Sequence, residues 1–257
     1  MIKTLFSSIL IFGFALSANS QSTNRQFDTI RFNQQLEFAN HLIEYEFYTQ
    51  QAIENFSKLE DVSAIEWFSF YENNSWHTVG GNLTDNSFRS IHHVYIDSLN
   101  SLSEYKGSSD TAKLNTYGLA LSASNKQFQV VRDTCSIYFN PFVISNPDKT
   151  LSVWYFPAFQ PSGQAIYGYE WEYVFENNGR NFLRQNSYTN ILTGVWIGQP
   201  RELWLNYRNT DTPTIGSVFF AQSFRDYFTR VRIDTRISTS TTVKDANGNY
   251  KWTYKMK

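Results

Sequence analysis

Apolar residues recur along this chain with two periods, and the change from one to the other organises it. Between Asn33 and about Lys58, Leu36, Ala39, Ile43, Phe47, Ile53 and Phe56 return near every 3.6 residues. No Pro or Gly interrupts them, and Glu37, His41, Glu44 and Gln51 lie opposite. That spacing predicts an amphipathic helix laid on a core. A second helix is predicted over 107–126, capped by Ser109 or Asp110, with Leu114, Tyr117 and Leu121, joined by Phe128, as its buried stripe.

Elsewhere the period falls to two. Ile65 to Tyr71 and Trp76 to Val79 read as a hairpin around Glu72-Asn73-Asn74-Ser75, with Gly80-Gly81 ending the second strand and a further strand over Phe88 to Ile96. Pro141 and Asn146-Pro147-Asp148 read as loops. From Thr150 the chain is almost entirely β: strands at Leu151–Phe156 and Ile166–Glu176, a return over Asn181–Tyr188 after Asn177-Asn178-Gly179, and short strands near Val195 and at Glu202–Tyr207. Period does not decide between strand and helix for Ser217–Phe228. Arg230 to Val243 alternates with Val231, Ile233, Ile237 and Val243 on one face, and Asp245–Asn249 turns the chain into a last strand, Tyr250–Met256. The order predicts an α+β fold: two amphipathic helices packed on a predominantly antiparallel, aromatic-rich β-sheet.

The first 20 residues have a different pattern. Lys3 precedes an apolar stretch, Leu5 to Leu16, broken only by Ser7, Ser8 and Gly13, and Ala18-Asn19-Ser20 puts small residues three and one before Gln21. This predicts a signal peptide cut near Ser20/Gln21 and a periplasmic or secreted protein. The stretch is shorter than the ~20 apolar residues that span a bilayer, and no later stretch is long enough, so no transmembrane segment is expected in the mature chain. Removing 20 of the 257 residues leaves about 237, read as a single α+β domain over 21–257, with a subdivision near Pro147 as the alternative.

Charge and cysteine content narrow the field. Loss of Lys3 leaves 21 basic side chains against 23 acidic ones, which gives no nucleic-acid footprint. Cys135 is the sole cysteine, so an internal disulfide and a lipid anchor after the cut are both excluded, and the residue reads as a small buried hydrophobe. With 22 Phe, 16 Tyr and 7 Trp, the fold must be held by burial of large rings.

Four groups of residues are candidates for chemistry. Tyr167, Tyr169, Trp171, Tyr173 and Phe175 stand at spacing two, so a regular strand projects all five from one face. They read as a core face, with a sugar-stacking surface as the alternative. Glu170 and Glu172 then share the opposite face; paired carboxylates serve glycoside hydrolysis, but same-face acids on one strand read first as a solvated surface. His92 and His93 point to opposite faces of a strand, and His77 on the preceding strand can approach one of them. His41 with Glu37 and Glu44 has helical spacing for a metal but lacks the two-histidine helical motif. A nucleophile elbow, a phosphate loop and a dinucleotide fingerprint are all missing, and Asp245–Asn249 lacks the acids of a calcium loop. No metal and no cofactor is expected.

The function expected is a non-catalytic binding or envelope-associated module for a glycan, a peptide or another envelope protein, with Trp76, Trp154, Trp171 and Trp196 as candidate ligand-binding residues. The alternative is a hydrolase of envelope polysaccharide or peptide, in which Glu170, Glu172, His77 or His93 line one pocket.

Overall fold

The computed structural model describes residues 26–56, 65–84, 87–96, 101–198 and 201–257. The expected signal peptide and the last residues of the first predicted helix lie outside them. Among the described residues, three helices and twelve strands make an α+β fold. One four-stranded sheet runs β1 (Glu66–Glu72), β2 (Ser75–Thr84), β3 (Ser87–Ile96), β4 (Leu102–Glu104). A second runs β5 (Phe139–Ser145), β6 (Leu151–Pro157), β7 (Gln164–Phe175), β8 (Phe182–Trp196). The third has the order β12 (Tyr250–Met256), β11 (Ser238–Lys244), β10 (Arg230–Thr235), β9 (Glu202–Tyr207). The helices are α1 (Thr29–Phe56), α2 (Thr111–Arg132) and α3 (Ile215–Phe224). All strand pairs are antiparallel except β9–β10, which are parallel and joined through α3.

In place of two helices on one side of one sheet, the second sheet has helices on both faces. Adjacent residues of β6 show it: Tyr155 stacks on Phe128 of α2 at 4.0 Å, and Phe156 stacks on Phe219 of α3 at 5.2 Å. α3 in turn packs between β7 and β10, and Phe32 of α1 meets Trp252 and Tyr254 of β12. Residues 215–221 of α3 are therefore all buried, and a helix buried on every side has no polar stripe to reveal its period. One hydrophobic cluster extends from Phe32 through Phe142 and Tyr173 to Ile233.

The local chemistry is as the side chains dictate. Asn73 and Asn74 take positive φ, 51° and 61°, in the two-residue turn between β1 and β2. Asp110 caps α2 by accepting from the Lys113 N–H at 3.0 Å, and Leu114, Tyr117, Leu121 and Phe128 are buried as the period predicts.

Several expectations are corrected. The buried stripe of α1 is Phe32, Gln35, Ala39, Leu42, Tyr45 and Ala52, and Phe47 is exposed. Packing against α3, β1 and β5 together rotates the stripe away from the one a single covering sheet would select. Gly80-Gly81 does not end β2, which continues to Thr84 with a shift of register between the two glycines. Pro141 lies within β5, an edge strand, where a missing N–H costs no ladder bond. β8 is one strand of 15 residues, and Arg230–Val243 folds back as a hairpin between Thr235 and Ser238. Beyond that turn Ser238, Ser240 and Thr242 are buried, while Ile237 and Val243 are only half-buried.

The aromatic ladder is covered but does not occupy one face. Gly168 and Tyr169 both have positive φ, 91° and 53°, and the pairing of β7 with β8 skips a residue there. This bulge inverts the strand. Tyr167 faces Phe220 of α3, whereas Trp171 and Tyr173 face Phe128 of α2. Tyr167, Tyr173 and Phe175 are buried; Tyr169 and Trp171 are half-buried.

Candidate functional site

A groove of about 380 Å³ lies between α1 and the β5–β6 turn. Glu37, Phe38 and His41 come from one turn of α1, Asn146 and Pro147 from the loop after β5, and Trp154 from β6. The size falls within the range of small-molecule sites. Trp154 is fixed from three sides. Phe38 meets it edge-on at 6.2 Å, Tyr188 of β8 stacks beside it at 5.3 Å, and Phe156 stacks at 5.7 Å.

Beneath the rings lies a polar network that starts at the groove. The Asn146 side-chain amide donates to Thr150 Oγ1 at 2.9 Å and Ser152 Oγ at 2.8 Å, and Ser152 donates onward to Glu172 Oε1 at 2.7 Å. Glu172 Oε2 accepts from Asn186 at 2.7 Å and from the Tyr188 hydroxyl at 2.9 Å. Burial and then the Glu172 carboxylate push the Tyr188 phenol well above its ordinary range, so this donor stays protonated. The network holds Tyr188, and through it Trp154, in one orientation. His41 stands at the other wall with its ring 4.8 Å from Trp76; burial lowers its pKa against the pull of Glu44, leaving a neutral imidazole at pH 7.

The four tryptophans expected to bind ligand do not share a surface. Trp154 and Trp76 flank His41; both are buried, and Trp76 donates its Nε1–H to Glu44 at 3.2 Å. Trp171 lies on the α2 face of the second sheet, and Trp196, 56% exposed, ends β8. Phe38, Asn146 and Tyr188 were not singled out in the sequence. A loop signal at Asn146-Pro147 was the only pointer, because partners from α1, β6 and β8 meet through tertiary packing alone.

The acids and histidines do not line one pocket. Glu170 and Glu172 are 1% and 8% exposed, which overturns the solvated surface expected for them. α3 covers the face from which Glu170 projects, and side chains of β6 and β8 enclose Glu172. Glu170 Oε1 accepts from the Tyr207 and Thr214 hydroxyls, each at 2.7 Å, and Oε2 from the Gly216 N–H at 3.1 Å, at the start of α3. Burial raises its pKa to about 7 while those three donors pull it down. Such a carboxylate has every partner inside the fold and serves as an anchor for α3.

His77 and His93 do come together, in the first sheet. His77 Nδ1 and His93 Nε2 are 3.1 Å apart, and His93 Nδ1 is 2.9 Å from Ser109 Oγ. Phe70 stacks on His77 at 5.1 Å and Tyr105 covers His93 at 4.3 Å. His92 points away, stacked on Phe56 at 4.2 Å and lying parallel to Trp67. Among the described residues no group of three or more His, Cys, Asp or Glu is placed to hold a metal ion. Cys135 is half-buried, and its Sγ donates to the Val131 carbonyl at 3.4 Å.

Fold and groove together define an α+β protein of three sheets with a small aromatic-walled recess. No model of a known protein family matches the chain, and comparison with curated proteins finds no match. No helix among the described residues is long and apolar enough to cross a membrane.

Proposed function

We propose that the protein is an exported, non-catalytic binding module that holds one pyranose unit of a glycan in the groove lined by Phe38, His41, Asn146 and Trp154. The observation that carries this reading is the braced tryptophan: Trp154 is stacked on Tyr188, and Tyr188 is tied to Glu172. A pyranose presents an apolar C–H face and a rim of hydroxyls. Phe38 and Trp154 supply the apolar walls, and Glu37, His41 and Asn146 supply acceptors and donors at the rim. Export follows from the Lys3–Ser20 pattern and is part of the same proposal.

Calorimetric titration of the chain from Gln21 onward against a panel of oligosaccharides and peptides tests the reading. At least one glycan is expected to release heat, and W154A to weaken it by at least tenfold, about 1.4 kcal/mol. Binding of peptides alone, or of glycan unchanged by W154A, would sink the proposal.

A further inference from the structure

We propose that Ser109 is a nucleophile for acyl transfer, with His93 as its general base and His77 as the positioning residue, acting on small carboxylic esters. The inference is independent of the groove and rests on a three-membered chain of side chains at the start of α2.

His77 is 6% exposed and its Nδ1 faces His93 Nε2. Of the directions open to the protons along that chain, the one proposed is that in which Ser109 donates. In it His77 carries its hydrogen on Nε2. Nδ1 of His77 is then the acceptor, so His93 Nε2 is the donor at 3.1 Å. His93 Nδ1 is left with its lone pair, and the Ser109 hydroxyl donates to it at 2.9 Å. This is the arrangement an activated serine requires: a hydroxyl on a neutral imidazole whose other nitrogen is tied to an orienting group.

The surroundings suit the reaction. Ser109 is half-buried rather than enclosed, and it stands one residue before the cap of the 22-residue α2. Tyr105, which covers His93, also lines a shallow hollow with Tyr95, Ser103, Glu104 and Lys106.

The reaction balances within these groups and water. Ser109 Oγ bonds to the ester carbonyl carbon as its proton passes to His93 Nδ1. The tetrahedral oxyanion collapses, the bond to the alkoxy oxygen breaks, and the leaving alcohol takes the proton from His93. Water then attacks the acyl-serine, gives a proton to His93, and releases the carboxylic acid as Ser109 regains its hydrogen. His77 holds the imidazole through Nε2–H and does not itself react.

The test is labelling of the folded chain with a small fluorophosphonate, followed by mass mapping of the adduct. We expect the adduct on Ser109, none at this position in S109A, and a rate at least ~100-fold slower in H93Q. H77F is expected to slow labelling, with partial recovery in H77Q, whose amide oxygen can still accept from His93. A purely structural latch would change the unfolding midpoint of these variants but place no adduct on Ser109. Absence of the adduct in the folded wild type, or an equal labelling rate in H93Q that retains the native circular dichroism, overturns the proposal.

Discussion

Glu170 on β7 and Gly216 on α3 are in direct contact: the carboxylate accepts the Gly216 N–H at 3.1 Å, and a Cβ on Gly216 would stand 2.3 Å from Glu170 Cδ. The absence of a side chain on Gly216 is what lets the carboxylate reach the orphan N–H groups of the helix start. A buried helix end needs such a partner, because the first N–H groups of a helix have none of their own. Thr214 completes the arrangement, capping the Ser217 N–H at 3.1 Å while its hydroxyl donates to Glu170.

Replacing Gly216 with Ala is therefore expected to destabilise the fold by about 1–3 kcal/mol, despite the higher helix propensity of Ala. Both Glu170 and the β7 backbone behind it are buried, so the clash has no open direction in which to relax. Denaturant unfolding of G216A beside G198A, where an added Cβ meets nothing within 4 Å, measures the difference. Equal stability of G216A and wild type would refute the contact.

Glu170 also imposes a pH dependence whose sign is opposite to that of a surface carboxylate. Its pKa in the fold is about 7 against an ordinary 4.5, so between those values the folded chain binds a proton that the unfolded chain does not. The contribution is fully present below pH 4.5 and is lost as pH rises to about 7. Its ceiling is about 3 kcal/mol. E170Q removes the titration and can keep acceptor and donor atoms toward Gly216 and the two hydroxyls. The difference in unfolding free energy between E170Q and wild type is expected to move in favour of E170Q as pH rises from 5 to 8. A difference that stays flat over that range would show that Glu170 ionises normally.

Gly168 is a second position where only glycine fits. Its φ is 91°, and a Cβ there would stand 1.6 Å from the Ile191 carbonyl oxygen of β8. G168A is expected to cost at least ~2 kcal/mol, from strain of the positive φ together with the clash. It should also shift the register of β7 on β8, read by loss of hydrogen-exchange protection at Tyr167 and Leu192, which flank the bulge. Unchanged protection with unchanged stability would contradict the bulge geometry.

That bulge marks where the sequence stops being legible. Strict alternation from Tyr167 to Phe175 is plain in the residues, and it identifies β7 and its rings correctly as core material. Nothing in the spacing announces that the chain gains a residue at Gly168–Tyr169, so the face assigned to Tyr167 comes out wrong; Glu170 and Glu172 do lie opposite Trp171 and Tyr173, but on a face covered by protein rather than by solvent. Turn chemistry was legible wherever it is local, as at Asn73-Asn74 and Asp245–Asn249. The helical period of α2 was legible because one face of that helix is wet. α3 was not, since its surroundings are apolar on all sides. Of the candidate chemistry, the meeting of His77 with His93 followed from their places on adjacent strands. Ser109 joins them only because α2 begins beside β3, a relation that no spacing encodes.

The histidine pair sets an acid limit of the opposite sign to Glu170. Burial and then the neighbouring His77 lower the His93 pKa from 6.5 to about 4, with Glu72 pulling it up and Lys113 down; burial likewise lowers that of His77, again with Glu72 raising and Lys113 lowering. Tyr95 and Tyr105 pack against the rings. A histidine held neutral in the fold contributes stability that is complete above pH 6.5 and declines as pH falls toward 4, because the unfolded chain takes up the proton first. The imidazoles touch at 3.1 Å, so a second proton would place two like charges in contact over the buried Phe70 ring. Unfolding free energies of H93Q and wild type are expected to differ by a constant amount from pH 7 to 8 and to converge from pH 6.5 down to 4. Taking the comparison between these two variants cancels the rise that Glu170 contributes over the same interval. A gap that stayed constant down to pH 4 would mean that His93 titrates as an exposed histidine and that the pair is not in contact.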